Sequence, residues 1–202
     1  VDSITGNFTR KVTVANASND DWEDITNDSN YIYIGDFGNN AGNRTNLKIY
    51  RISIADYTNT PNDTVFADTI QFSYANQTDF NPMPLQTNFD CEAIASIGNN
   101  LYLYTKNWVN AKTYVYALPK TPGNYTIPLL DSIFVQGLIT GADYHIPTDR
   151  LILCGYTQYP FVLEMNNPLG GAFGQNNFSR YNLSVPSLIQ LEAIVAFDNN
   201  QY

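Results

Sequence analysis

Short apolar and aromatic runs, each preceded by a polar turn, recur along this chain of 202 residues. Runs of this length that end in small or polar residues are typical of buried strands rather than helices. The three clearest runs occupy residues 30–36, 100–106 and 150–156. Their centres lie 70 and then 50 residues apart, and two Asn-rich inserts, at 38–46 and 76–88, lengthen the first interval. The pattern predicts an all-β protein with a repeat of about 50 residues.

Other strand-like segments surround these runs in a constant order. We interpret the preceding segments as inner strands, at 22–25, 91–94, 139–142 and 191–194. Third strands are predicted at 47–52, 113–118 and 161–165, and outer strands at 69–74, 132–137 and 179–183. An unmatched outer strand is predicted at 7–14. Residues 186–197 also fit a helix, but we favour a strand because their Leu-Glu-Ala-Ile sequence copies the earlier inner strands.

Four-stranded units of this size are typical of β-propeller blades. We therefore predict one β-propeller region over residues 1–202, an arc of about three to four four-stranded antiparallel blades. The approximate blades are 20–75, 89–137, 138–184 and the start of a next blade at 187–202. A closed propeller needs at least four blades. The ring is therefore expected to be incomplete, with the remaining blades or another chain covering its open edges.

The amino-acid composition argues against two kinds of partner, nucleic acids and a membrane interior. Ten Lys and Arg against nineteen Asp and Glu give a net charge of −9, which predicts no nucleic-acid partner because no basic surface neutralises phosphates. No apolar run reaches the ~18 residues of a membrane span. The start at Val1 without Met favours a mature or trimmed product. Cys91 and Cys154 lie in apolar runs and are expected to be buried free thiols rather than a disulfide.

An ordered set of short motifs resembles one known family. The motifs are Asp-Trp-Glu-Asp-Ile at 21–25, Gly-Asp-Phe-Gly-Asn-Asn at 35–40, Asp-Cys-Glu-Ala-Ile at 90–94, Thr-Gly-Ala-Asp at 140–143 and Gln-Leu-Glu-Ala-Ile at 190–194. They resemble secreted β-propellers of Bacteroidota, which are weakly similar to esterase-like phytase propellers. The resemblance implies a secreted or cell-surface protein of a family that often uses type IX secretion. It implies little about activity, because function in that family is poorly defined.

Acidic residues recur at one position of the predicted inner strands. Glu23, Glu92 and Glu192 occupy it, with Thr140 in the remaining copy. Inner strands line the central channel of a propeller, so these side chains are expected to converge near the axis. Converging carboxylates either hold a cation or substrate or accept hydrogen bonds from backbone donors of neighbouring blades. Both interpretations stay open.

The loop at residues 35–44 contains one acid, Asp36, with three Asn, which are Asn39, Asn40 and Asn43. Calcium prefers such carboxylate and amide oxygens from a flexible loop, so Ca²⁺ is a candidate cofactor here. The alternative, which we favour, is a tight connecting loop in which Arg44 pairs with Asp36 or Glu23.

Three further features bear on chemistry. Lys106 could orient an anionic substrate, but neutralising Glu92 is the favoured role. His145 is the only histidine, and no Gly-x-Ser-x-Gly motif accompanies it, so a Ser-His-Asp triad is not expected. Aromatic residues expected at exposed blade ends could stack on sugars or cap the blades: Trp108, Tyr125, Tyr156, Tyr159 and Phe161.

Four Asp-Ser/Thr-apolar triplets match the O-glycosylation motif that the resemblance implies. Their acceptor residues are Ser3, Thr64, Thr69 and Ser132.

These observations favour an extracellular or cell-surface binding or display module whose ligand is unknown, with a glycan among the candidates. One alternative is a cation-dependent hydrolase of the phytase or esterase-like type that uses the channel carboxylates. A second alternative is a structural part of a large surface adhesin. An enzyme is the less favoured class.

Overall fold

Antiparallel strands dominate the computed structural model, which describes residues 2, 5–170, 178–185 and 189–197. The strands are β1 (Thr13–Val14), β2 (Trp22–Asn27), β3 (Tyr31–Asp36), β4 (Lys48–Ser53), β5 (Thr64–Val65), β6 (Asp68–Tyr74), β7 (Cys91–Ile97), β8 (Asn100–Thr105), β9 (Lys112–Pro119), β10 (Gly123–Ile127), β11 (Leu129–Phe134), β12 (Leu138–His145), β13 (Arg150–Tyr156), β14 (Pro160–Asn166) and β15 (Phe178–Asn182). The described helices are α1 (Ile54–Asn59) and a 3₁₀ turn (Ile146–Thr148). The all-β prediction is confirmed.

Three four-stranded antiparallel units form in chain order. The first contains β2, β3, β4 and β6, the second β7, β8, β9 and β11, and the third β12, β13, β14 and β15. Each predicted inner, second, third and outer strand of these units overlaps an observed strand, although β11 begins three residues before the predicted outer strand at 132–137 and ends at Phe134. We call β2, β7 and β12 the inner strands. None of the described sheets closes on itself.

Some elements differ from the sequence prediction. β10 adds to β6 in parallel as the fifth strand of the first sheet. Of the outer strand predicted at 7–14, only β1 forms, and it pairs in parallel with β5 instead of joining a four-stranded sheet. Residues 191–197 have no strand assignment, although they lie beside β12. The unpredicted helix α1 begins where the Ser53 side chain accepts a hydrogen bond from the Asp56 N–H at 3.3 Å.

The second sheet is buried on both faces. One face shares an apolar cluster with the first sheet, in which Tyr33, Phe72 and Leu103 are buried. The other face shares a cluster with the third sheet, where Tyr104 and Leu153 pack. Because both faces are covered, every residue of β7 is buried, including Glu92, and its sequence does not alternate between apolar and polar residues.

The inner strands of the three units pack side by side, although no described ladder pairs them with one another. One side chain connects all three: Oδ2 of Asp24, on β2, accepts the N–H of Ile94 on β7 at 2.9 Å and that of Ala142 on β12 at 3.2 Å. Asp143 Oδ2 accepts the Ala196 N–H at 2.8 Å in the same manner. Carboxylates therefore supply the acceptors that a ladder would otherwise provide.

Replacing Asp24 with Ala should destabilise the protein by about 1–3 kcal/mol, since two backbone donors between the sheets would lose their acceptor. Chemical denaturation measures the loss. Asp24→Asn keeps one acceptor oxygen, so it should cost less than Asp24→Ala. An alanine variant as stable as the unchanged protein would show that the hydrogen bonds of Asp24 contribute nothing to the free energy of unfolding.

Candidate functional site

Each inner strand carries a β-bulge at the same place, close to its start. The ladder to the neighbouring strand shifts register between Trp22 and Ile25, between Cys91 and Ala93, and between Ile139 and Gly141. The shifts fall at the three aligned positions predicted from sequence: Glu23, Glu92 and Thr140. A bulge leaves a residue outside the ladder and changes the direction of its side chain. The position that repeats in sequence therefore also repeats a β-bulge in the backbone.

Two carboxyl groups lie together over Gly38. A methyl group at this glycine would lie 2.3 Å from Glu23 Oε1 and 2.4 Å from Asp21 Oδ2, so only a residue without a side chain leaves room for both. Burial raises the pKa of Glu23 to about 9, and the charges of Glu92, Asp21 and Asp90 add to the rise. A hydrogen bond to Asp21 raises the pKa further, so Glu23 is protonated at neutral pH.

Glu92 is buried beside Lys106, whose Nζ lies 3.0 Å from Glu92 Oε1. Burial and the charge of Asp90 raise the pKa of Glu92 to about 8, against the opposing effect of Lys106. The ammonium also lies 4.9 Å from the ring centroid of Trp108 and 5.3 Å from that of Tyr156. The contact between Lys106 and Glu92 that the favoured interpretation requires is therefore present.

Asp90 is a site residue that the sequence reasoning did not single out. Its Oδ1 accepts the Asn39 N–H at 2.6 Å, and its Oδ2 accepts the Trp108 Nε1–H at 2.8 Å. Asp90 therefore fixes the indole and joins the first sheet's loop to the second sheet. The signal was present in the sequence, because Asp-x-Glu occurs both at 21–23 and at 90–92.

Thr140 and Glu192 take different places from the other two members of the repeat. The Thr140 hydroxyl donates to the Leu191 carbonyl, which ties β12 to the following segment. Glu192 is exposed, although its charge contributes to the raised pKa of Glu92. We define the acid–aromatic site as the cluster Asp21, Glu23, Asp90, Glu92, Lys106, Trp108 and Tyr156.

Ion pairs of Asp36 stabilise the loop at 35–44. Asp36 is fully buried and pairs with Arg44 at 2.9 Å and Lys48 at 3.0 Å, as predicted for Arg44. Asn39 Oδ1 accepts the Arg44 N–H at 2.9 Å, while Asn40 and Asn43 are exposed. A calcium ion at Asp36 would have to displace two cations. Within the described residues, no group of three or more His, Cys, Asp or Glu could hold a metal ion.

Several other predicted residues lie outside the acid–aromatic site. His145 Nδ1 lies 2.7 Å from Thr148 Oγ1. Cys91 and Cys154 are buried free thiols, as predicted. The expectation of exposed rings is wrong for Phe161 and also for Tyr156, which belongs to the site, because both are buried on β14 and β13.

The proposed glycosylation acceptors differ in exposure. Thr64 is exposed on β5, whereas Thr69 and Ser132 are half-buried on β6 and β11. Ser3 lies outside the described residues.

Comparison with known proteins adds no family assignment: no protein-family model matches the chain, and no curated protein matches it. In the part of the chain that the structure describes, no helix is both long enough and apolar enough to cross a membrane.

Stability should fall as pH rises from about 5 to about 9. Folding raises the pKa of Glu23 from 4.5 to about 9 and of Glu92 from 4.5 to about 8, so the folded state holds these protons more tightly. Their stabilising contribution is complete below pH 4.5 and is lost as pH passes through the folded pKa values. Urea denaturation across this range measures the slope, which the double variant Glu23→Gln, Glu92→Gln should flatten. A slope of opposite sign in the unchanged protein would contradict the assignment.

Gly38→Ala should separate the two carboxyl groups without unfolding the chain, because the groups that its methyl would meet are the ends of flexible side chains. Separation from Asp21 should lower the pKa of Glu23, which an NMR titration of the Glu23 carboxyl carbon reports. Asn99→Ala, an exposed position in the β7–β8 turn, is a control for an alanine substitution away from the site. An unchanged Glu23 titration would show that the pair is not coupled.

Proposed function

We propose that this chain is an arc of β-propeller blades that works as an extracellular binding module. We further propose that its acid–aromatic site holds a positively charged group of the ligand. The observation that carries the proposal is the pair Asp21 and Glu23, which forms no ion pair with any described residue.

The blade arrangement is supported by the packing of the inner strands. Three four-stranded antiparallel units follow one another, and each places its first strand beside the first strands of the others. The Asp24 carboxylate spans β2, β7 and β12, so these strands approach a common centre. The equivalent bulges, all near the strand starts, would then gather their side chains at one end of the channel.

The charge of the ligand is argued from what the site already contains. Glu92 and two aromatic rings surround the Lys106 ammonium, an arrangement that also binds ammonium groups of ligands in aromatic cages. Asp21 and Glu23 offer a second acidic position nearby. A cation there would replace the proton on Glu23, and the chain's net charge of −9 would favour its approach.

The extracellular setting is supported by the motif resemblance. A second candidate function, the cation-dependent hydrolase, is favoured by one observation: Glu23, with a pKa of about 9, is protonated at neutral pH and could act as a general acid. Hydrolysis of a phosphate or carboxylate ester in the presence of Ca²⁺, abolished by Glu23→Gln, would favour this candidate.

Calorimetric titration with the peptide trilysine tests the binding proposal. The unchanged chain should bind it with release of protons, seen as a dependence of the apparent heat on the buffer. The double variant Asp21→Asn, Glu23→Gln should bind about tenfold more weakly, as expected for loss of a charged hydrogen bond. Asp79→Asn, an exposed carboxylate in another loop, is the matched control.

Two outcomes would reject this ligand class. Equal affinity in the double variant and in Asp79→Asn would place the peptide elsewhere. Binding of Ca²⁺ but not of trilysine, with the same dependence on Asp21 and Glu23, would make the site a cation site of the hydrolase candidate.

A further inference from the structure

A separate cavity of about 340 Å³ lies at the outer edge of the first sheet, where β6 meets β10. It shares no residue with the acid–aromatic site. Its volume lies at the lower end of the range for small-ligand pockets. The residues that carry its chemistry are Thr45, Gln71, Ser73, Asn124 and Thr126.

The parallel pairing of β6 with β10 arranges these side chains in matched rows. Gln71 is opposite Asn124, and Ser73 is opposite Thr126. Successive side chains of a strand point to opposite faces, so Gln71 and Ser73 share one face. The hydroxyl oxygens of Ser73 and Thr126 are 3.3 Å apart. All four residues are exposed, so the sheet presents a row of amides beside a row of hydroxyls.

The lining is polar but carries no charge. None of the residues around the cavity is Asp, Glu, Lys, Arg or His. The side-chain amides of Gln71 and Asn124 make no hydrogen bond to a described residue, which leaves donors and acceptors for a ligand. Tyr125, the next residue after Asn124 on β10, points to the opposite face of the sheet and packs against the apolar cluster that contains Phe72, so its ring takes no part in this surface. Uncharged amides and hydroxyls match the hydroxyl groups of a neutral sugar.

We propose that this cavity, which we call the β6–β10 groove, binds a neutral oligosaccharide. The ligand's hydroxyls bond to the Gln71 and Asn124 amides and to the hydroxyls of Ser73 and Thr126, which lie on the same face of the sheet. The groove is independent of the cation proposed at the acid–aromatic site, so either proposal can fail alone.

A panel of soluble neutral oligosaccharides tests the groove: gluco-, manno-, galacto- and xylo-hexaoses, titrated against the full chain by calorimetry. At least one should bind. The double variant Gln71→Ala, Asn124→Ala should weaken that binding about tenfold or more, because two ligand hydrogen bonds are lost. Asn99→Ala, an exposed amide in the β7–β8 turn, should leave it unchanged. Equal melting temperatures of the three proteins establish that they remain folded.

The proposal is overturned if no member of the panel binds at millimolar concentration. It is also overturned if the double variant binds the sugar as well as Asn99→Ala does. Should the double variant unfold, Gln71→Met in the unchanged background replaces it, since an exposed substitution of similar size keeps the strand. The thioether cannot make the hydrogen bonds of the amide, so binding of the sugar should still weaken, and unaltered affinity would reject the groove.

Discussion

The side-by-side packing of the inner strands depends on one interaction, the acceptance of two backbone N–H groups by Asp24. Strands from different sheets approach here without a ladder, so their polar groups need acceptors from side chains. Burial raises the pKa of Asp24 to about 7, against the N–H groups of Ile94, Ile25 and Ala142, which lower it. The acid–aromatic site depends on this contact. The bulge beside Asp24 sets the direction of the Glu23 side chain, and the packing of β2 on β7 brings Glu23 close to Glu92.

The sequence predicted the strands well because apolar runs and turn residues report local burial. It predicted the repeated acidic position but not its role. One of the two interpretations left open for Glu23 was hydrogen bonding to backbone of neighbouring strands, and Asp24 makes those bonds instead. A β-bulge exchanges the two faces of a strand within one residue. The periodicity of the sequence does not reveal such a shift. The backbone contact was therefore expected at Glu23 as one alternative, but it is made by the adjacent residue, Asp24.

The remaining differences come from contacts distant in sequence. Asp90 meets Asn39 and Trp108 only because two sheets adjoin, and no local pattern records that approach. The same holds for β10, whose Asn-Tyr-Thr-Ile sequence reads as a polar turn until β6 supplies its partner. Charge pairing was more predictable: Arg44 and Asp36 lie eight residues apart in one short loop, so few alternative partners existed.

The parallel addition of β10 has a consequence for the order of assembly. The chain leaves the second sheet after β9, becomes the last strand of the first sheet, and returns to the second sheet as β11. During synthesis, the first sheet is completed only by β10, after most of the second sheet has been made. The next strand, β11, then completes the second sheet. The two sheets are therefore completed by consecutive strands of the chain. A ribosome that paused within residues 120–128 would leave both sheets incomplete at the same time.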